Sequence, residues 1–326
     1  MKLLRTTLLA GVAVAAMGLA GKADAALIAF QQYAGSFGVS TDGFGSTSNS
    51  GNIEAVVPVG STVVSAYLYS STFGGGQPGG TLGGQAVNYQ TALGAVGGLQ
   101  AYRADVTNIV AATINGGAGG TYSFAVTEVG SSVDGEALVV VYSNPNLPDS
   151  TVGILDGFSA QAGDTTSINL ATPLDPTAPG FFSEVRLGIG FSCCGQASEV
   201  SVNGQLLTTV AGNNDDGLSG DANGSLITVG GSDDPFTPAN PTYAQDHERY
   251  NLGPYISLGD TSIVINTRNP SFDDNIFLAV VHSSGLGGVN QPPPVTSVPE
   301  PASLALFAAG LLGLGAVRRR KRQAAR

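Results

Sequence analysis

Basic residues are scarce in the middle of this 326-residue chain. Residues 26–298 contain no lysine, and their only basic side chains are Arg103, Arg186, Arg249 and Arg268. Against these four arginines stand 22 of the 24 acidic residues, so the region has a net charge of −18, compared with −11 for the whole chain. Nucleic-acid binding needs Lys and Arg to neutralise phosphates, and this balance excludes nucleic acid as a partner. It favours solubility and the attraction of divalent cations.

Recognisable catalytic motifs are also missing. The chain has no tryptophan and only two histidines, and it contains no GxSxG, HExxH or P-loop pattern. We therefore expect that the protein is not an enzyme. The polar run of residues 246–249 is interpreted as a surface loop with local ion pairs. Tryptophan is the usual platform for binding sugars; Tyr67, Tyr69 and Tyr243 are weaker substitutes.

Short apolar runs separated by turn residues dominate what remains, and the chain has 47 glycines. Alternating or continuous apolar patterns predict strands, at residues 61–70, 81–89, 121–127, 136–143, 151–158, 165–170, 184–191, 199–209, 225–229, 261–267 and 275–282. Two of these segments contain hairpin signals, Gly83-Gly84 and Asn203-Gly204, and the second pair suits a type I′ turn. The segment of residues 136–143 contains a continuous apolar run, which is typical of a central strand.

One short helix is predicted at residues 104–114, capped by Asp105, with Val106, Ile109, Val110 and Ile114 on one face. No helices alternate with the strands, so a parallel sheet is excluded. The predicted fold is all-β: an antiparallel two-sheet β-sandwich of jelly-roll type with one or two short helices. We expect one domain over residues 26–283, irregular structure at 31–52 and a Gly/Pro-rich linker at 284–297.

Both ends of the chain are typical of targeting segments. Residues 1–25 combine a basic start, an apolar run and the A-x-A sequence Ala23-Asp24-Ala25. This pattern predicts a secretory signal peptide, a helix that signal peptidase removes after Ala25. Adjacent Cys193 and Cys194 would then reach an oxidising compartment. They can form a strained vicinal disulfide, which we favour, remain reduced, or cross-link two chains.

The tail, residues 298–326, has three parts in a fixed order. Pro299-Glu300-Pro301 precedes an apolar run at 302–317 and a basic tail at 318–326. Sixteen helical residues span about 24 Å, slightly less than a hydrocarbon core of about 30 Å. The positive-inside rule keeps the basic tail in the cytoplasm. We expect a transmembrane sorting helix that holds the chain transiently in the inner membrane.

This tripartite tail resembles the PEP-CTERM sorting signal, in which Pro299-Glu300-Pro301 is the namesake motif. The resemblance implies that an exosortase-type enzyme processes the chain for display at the cell surface or for release. It also implies a structural or adhesive role in the exopolysaccharide of a biofilm or floc. The alternative is a carbohydrate-binding module or a glycan-active enzyme on the same β-sandwich scaffold, since a fold does not determine a function.

A calcium site is a further expectation. Residues 212–224 are rich in glycine and in oxygen-bearing side chains, of which the candidate ligands are Asp215, Asp216, Asp221 and Asn223. Calcium prefers six to eight oxygen ligands from such loops. No glutamate stands at the closing position of an EF-hand, and the same residue types form ordinary solvated turns. Residues 230–234 and 273–275 are weaker candidates, and both interpretations stay open.

Overall fold

Antiparallel β-strands make up most of the described chain. The computed structural model describes residues 27–292 except 46, 97, 131, 191–197, 213–226, 239–240, 243–246 and 271–274. The strands are β1 Ile28–Gly35, β2 Phe37–Phe44, β3 Ser50–Val57, β4 Thr62–Phe73, β5 Gly79–Leu82, β6 Gln85–Val87, β7 Thr91–Val96, β8 Leu99–Asp105, β9 Gly120–Val129, β10 Val133–Ser143, β11 Ser150–Asp156, β12 Asp164–Leu170, β13 Ser183–Gly190, β14 Ser198–Val202, β15 Gln205–Ala211, β16 Thr228–Val229, β17 Arg249–Asn251, β18 Ser262–Arg268, β19 Asn275–Ser284 and β20 Gly287–Val289. One α-helix, α1, spans Thr107–Ile114.

The strands form four sheets, which we number I to IV. Sheet I has the order β3-β9-β5-β6, and sheet II has the order β2-β10-β4-β8-β7. Sheet III has the order β1-β11-β19-β13-β16, with β17 also paired to β13, and sheet IV has the order β15-β14-β18-β12-β20. All pairings between these strands are antiparallel. The prediction of an antiparallel all-β protein is confirmed.

Three hydrophobic cores join these sheets into a stack of four layers. The first core combines side chains of sheets I and II with α1, the second combines sheets II and III, and the third combines sheets III and IV. Strand β10 shows why two cores meet at one sheet: Leu138 and Val140 enter the first core, while Val139 and Val141 enter the second. Successive side chains of a strand point to opposite faces, so both faces of sheet II are buried.

The prediction of only two sheets is therefore corrected to four. The middle strands β10 and β19 have continuous apolar runs because they bury both faces. The outer strand β18 alternates instead, with Ile263 and Ile265 buried and Ser262, Val264 and Asn266 partly exposed. A two-sheet sandwich has no sheet with two buried faces, so the mixture of both patterns indicates additional layers.

The helix is shorter than predicted. Residues 104 and 105 belong to β8, and α1 begins at Thr107, after Val106 at the N-cap position. No side chain caps the helix, although Asp105 Oδ1 accepts a hydrogen bond from the Thr107 N–H at 2.9 Å. Val110 and Ile114 enter the first core, as the apolar spacing predicts. A 3-10 turn at Gly253–Tyr255 is the only other helical element in the described residues.

Both predicted hairpins are present. The first joins β5 and β6 through Gly83-Gly84, and the second joins β14 and β15 through Asn203-Gly204. Asn203 has φ of 49° and Gly204 has φ of 75°. A type I′ turn requires positive φ at both central residues, which explains the Asn-Gly pair at this position.

Two stretches that we expected to be irregular contain strands. Residues 31–52 include most of β1, all of β2 and the start of β3. Strand β2 is polar but largely buried, and its side chains are hydrogen-bonded: Thr41 Oγ1 donates to the Gly230 carbonyl at 2.6 Å. Residues 284–297 were expected to be a linker, but Gly287–Val289 forms β20, which is buried against β12.

The two predicted targeting segments, residues 1–25 and 298–326, lie outside the described residues. Within the part that is described, no helix combines the length and the apolar character needed to cross a membrane.

Candidate functional site

Most residues singled out from the sequence lie outside the described part of the chain. These are the cleavage site Ala25, the cysteines Cys193 and Cys194, the calcium candidates Asp215, Asp216, Asp221 and Asn223, and the sorting motif Pro299, Glu300 and Pro301. Their predicted roles stay predictions. In the described residues, no three His, Cys, Asp or Glu side chains are grouped so that they could hold a metal ion.

Two residues of the polar stretches have structural roles that the sequence did not indicate. In the loop of residues 230–234, Asp234 Oδ2 accepts a hydrogen bond from the Gly231 N–H at 2.8 Å and so closes a turn. Residues 246–249 were interpreted as a surface loop, but Glu248 is completely buried. Glu248 Oε2 accepts a hydrogen bond from the Tyr250 hydroxyl at 3.1 Å. The surface interpretation is wrong for this residue.

Two of the three tyrosines proposed as sugar platforms, Tyr67 and Tyr69, are buried, and Tyr243 lies outside the described residues. Tyr67 and Tyr69 project into the second core, where Tyr69 is fully buried. The Tyr69 hydroxyl donates a hydrogen bond to Asp156 Oδ2 at 3.2 Å. Asp156 also forms an ion pair with Arg103, whose guanidinium lies 3.3 Å from the ring centroid of Phe30. These contacts make this group a structural link between sheets II and III.

A second group of charges at the same interface forms the candidate site. We call Glu184, Arg186, Arg249 and His282 the ionic cluster. Glu184 and Arg186 are two residues apart on β13, so both lie on one face of that strand. Glu184 Oε1 lies 2.6 Å from Arg186 Nη2, and Glu184 Oε2 lies 3.1 Å from Arg249 Nε. His282, directly opposite on β19, places Nδ1 3.7 Å from Glu184 Oε1.

The arginines of the ionic cluster hold three segments together. Arg186 Nη1 donates to Thr41 Oγ1 on β2 at 2.9 Å and to Ser232 Oγ at 2.6 Å. Arg249 Nη1 donates to the carbonyl oxygens of Ser232 and Asp234 at 3.0 and 2.6 Å. Through these bonds, β13 and β17 of sheet III are attached to β2 of sheet II and to the loop of residues 230–234.

Glu184 is ionised despite its burial. Burial alone would raise the pKa of Glu184, but His282, Arg186 and Arg249 outweigh it and lower this pKa to about 2. Burial lowers the pKa of Arg186, and the charge of Glu184 opposes that shift. Glu184 is therefore a carboxylate throughout the physiological pH range.

A cleft of about 350 Å³ opens beside the ionic cluster. We call it the aromatic cleft; its lining residues are Val39, Tyr142, Phe181, Phe182, Ser183, Glu184, Arg186, Phe236, Arg249, Asn251 and His282. Phe236 is 46% exposed, and the guanidinium carbon of Arg249 lies 4.6 Å from its ring centroid. The ring of Phe182 meets His282 edge-on, with centroids 4.5 Å apart. The cleft thus combines aromatic rings with hydrogen-bonding groups, as small-ligand sites do.

Sequence reasoning missed this site, although one signal was present. The segment EVRLGIGF was assigned to a strand from its apolar residues Val185, Leu187 and Ile189. Those residues enter the third core, and the opposite face of the strand carries Glu184 and Arg186. A glutamate and an arginine two residues apart on a buried strand predict a buried ion pair. The partners from β17, β19 and residue 236 are distant in sequence, and local patterns do not reveal them.

Buried carboxyl groups also occur between sheets I and II. Glu136 on β10 is fully buried and accepts a hydrogen bond from the hydroxyl of Tyr89, and Glu128 on β9 lies near it. Burial raises the pKa of Glu128 to about 8, and Asp134 adds to this shift. The pKa of Glu136 is raised well above its ordinary value, mainly by burial. Glu128 therefore holds its proton at neutral pH, unlike Glu184.

The comparisons with known proteins identify the tail. Residues 297–321 match the PEP-CTERM protein-sorting motif, which confirms the resemblance seen in the sequence. None of the curated proteins and none of the solved structures matches this chain. The motif marks an exported protein that is directed to exosortase and held transiently in the membrane on its way to the cell surface.

Replacing Glu184 by Gln tests the ionic cluster. The substitution leaves two arginines beside an uncharged partner, and breaking a buried ion pair costs about 3 kcal/mol. We expect urea unfolding to show that loss in the free energy of unfolding. The control is Glu199→Gln, because the pair of Glu199 with Arg268 lies at the surface, with those side chains 34% and 55% exposed. An exposed pair contributes at most about 1 kcal/mol. Equal losses in the two variants would contradict a stabilising role of the cluster.

The buried carboxyl groups predict that stability falls as the pH rises. The pKa of Glu128 is about 8 in the folded protein and 4.5 ordinarily, so the folded state binds its proton more tightly. The contribution of Glu128 to the free energy of unfolding is complete below about pH 4.5 and is lost as the pH approaches 8. Each such group adds a slope of up to about 1.4 kcal/mol per pH unit.

Measurement of the free energy of unfolding between pH 5 and 8 checks this prediction. Glu128→Gln removes the titrating proton and keeps the shape of the side chain. We expect a shallower decline than in the unsubstituted protein. Asp134, with a pKa raised to about 6, and Asp42, with a pKa raised to about 7, leave a residual slope of the same sign. Parallel curves for the two proteins would contradict the assignment.

Proposed function

We propose that this chain is a non-enzymatic surface or matrix protein with a structural or adhesive role in extracellular polysaccharide. The observation that carries the proposal is the sorting motif at residues 297–321. That motif directs the chain to exosortase. We infer that signal peptidase first removes residues 1–25 and that exosortase then acts on the tail.

The described region suits a load-bearing role. Three cores tie four sheets together, and the Arg103–Asp156 ion pair and the Arg186–Thr41 hydrogen bond connect the two middle sheets in addition. Interiors packed in this way are dense and barely compressible. The charge of −18 over residues 26–298 keeps copies of the protein hydrated and apart. Both properties fit a protein that works outside the cell, embedded in a hydrated polymer.

The second candidate function is carbohydrate binding or glycan chemistry on the same scaffold. The aromatic cleft favours binding over catalysis, because its one carboxylate is engaged by two arginines. Glycoside hydrolysis ordinarily requires a pair of carboxyl groups flanking the bond that breaks. Among the described residues that line the cleft, Glu184 is the only acidic one.

Deletion of the gene in the producing bacterium tests the proposed function. We expect weaker cell aggregation and less of the protein in the extracellular matrix, and we expect the intact gene to restore both. The matched variant replaces Pro299, Glu300 and Pro301 by alanine. This chain should be made but retained with the membrane, so aggregation should stay weak. Unchanged aggregation and matrix composition after deletion would contradict the proposal.

A further inference from the structure

The aromatic cleft has features of a ligand site that its structural role does not explain. Glu184 and Arg186 form an ion pair, and Arg186 joins sheet III to sheet II through Thr41; this structural role needs no open space beside them. A cleft of about 350 Å³ nevertheless adjoins them. That volume is at the lower end of the range typical of small-ligand sites.

Hydrogen-bond donors and hydrogen-bond acceptors both line the cleft. Arg249 and Asn251 on β17 can donate hydrogen bonds, and Asn251 and Glu184 can accept them. Arg186 is 5% exposed, and its Nε–H has no acceptor among the described residues.

Aromatic rings provide the other half of the site. Phe236 exposes 46% of its surface, and the rings of Phe181 and Phe182 are half-buried at the same opening. An exposed apolar ring that lies next to charged groups suits a ligand with one apolar face and a polar rim. A pyranose ring has this character, because its C–H bonds form an apolar face and its hydroxyl groups surround it.

The charges of the cleft narrow the ligand class. The two guanidinium groups and the one carboxylate that line the cleft leave a single excess positive charge. That balance suits neutral sugars and sugars with one carboxylate, and it disfavours highly charged anions such as phosphates. Asp234 lies next to Arg249, and its carbonyl oxygen accepts a hydrogen bond from the Arg249 guanidinium. The negative charge of Asp234 weakens the positive potential in the cleft further.

We propose that the aromatic cleft binds one saccharide unit of a polysaccharide chain. The C–H face of the sugar lies on Phe236, and its hydroxyl oxygens bond to Arg249 and Asn251. This inference rests on the proposed function, since it names the matrix polymer as the ligand. It adds the site through which the protein is attached to that polymer.

Phe236→Ala tests the site in the purified exported protein. The probes are a panel of neutral disaccharides (cellobiose, maltose and lactose) and digalacturonate, measured by isothermal titration calorimetry. We expect at least one probe to bind and Phe236→Ala to weaken its Kd at least tenfold, which corresponds to about 1.4 kcal/mol. Phe236→Tyr keeps an aromatic ring and should restore binding to within about threefold, or about 0.7 kcal/mol.

The matched control is Phe73→Ala. Phe73 is 44% exposed, close to the value for Phe236, but it lies on β4 and does not line the cleft. This variant should bind like the unsubstituted protein. Thermal melting of all variants distinguishes loss of binding from loss of folding. The neutral and acidic probes show whether hydroxyl groups suffice or a sugar carboxylate is needed.

The results separate this inference from the proposed function. If no probe binds at millimolar concentration, or if Phe236→Ala binds as well as Phe73→Ala, the cleft is not a saccharide site. Matrix retention that depends on the gene would then still support the structural role. Conversely, saccharide binding that is lost in Phe236→Ala supports the cleft even if deletion of the gene leaves aggregation unchanged.

Discussion

Burial of both faces of the two middle sheets is the constraint on which the rest of the structure depends. Both faces of sheets II and III pack against neighbouring layers, so a buried polar residue of β10, β13 or β19 is costly unless it has a partner inside the protein. All four arginines of residues 26–298 form ion pairs, and those of Arg103, Arg186 and Arg249 lie at the interface of these sheets, whereas that of Arg268 lies at the surface. The scarce positive charge is thus concentrated where sheet II meets sheet III.

The ionic cluster has two roles: it contributes to the stability of the fold, and it forms one wall of the aromatic cleft. A buried ion pair contributes little net stability against an apolar pair of the same size, but it is costly to break once it has formed. Glu184 and Arg186 therefore fix how β13 lies against β2, and the wall of the aromatic cleft is fixed with them. Arg249 extends this arrangement to Phe236, so the exposed ring of the cleft is attached to the same network. A preorganised site of this kind loses little entropy when a ligand binds.

The sequence predicted the strands well and their layering less well. Alternation at Val185, Leu187 and Ile189 and the Asn203-Gly204 turn are local signals, and the structure confirms both. Strand β2 was missed because its buried polar residues gain their partners from residues almost 200 positions away, as Thr41 does from Gly230. The aromatic cleft was missed for the same reason, since it joins β13, β17 and β19 to Phe236. Non-local pairing of this kind leaves no periodic pattern in a single sequence.

The sorting motif, in contrast, is contiguous, so the sequence was sufficient to find it.

Export and processing are the central claim, because every functional inference assumes that the chain works outside the cell. Mass spectrometry of both termini of the protein recovered from the extracellular matrix tests this claim most directly. The account predicts a chain that begins at Ala26 and lacks the basic residues 318–326. A matrix protein that still carries either terminal segment, or a chain found only in the membrane with Arg326 intact, would contradict it.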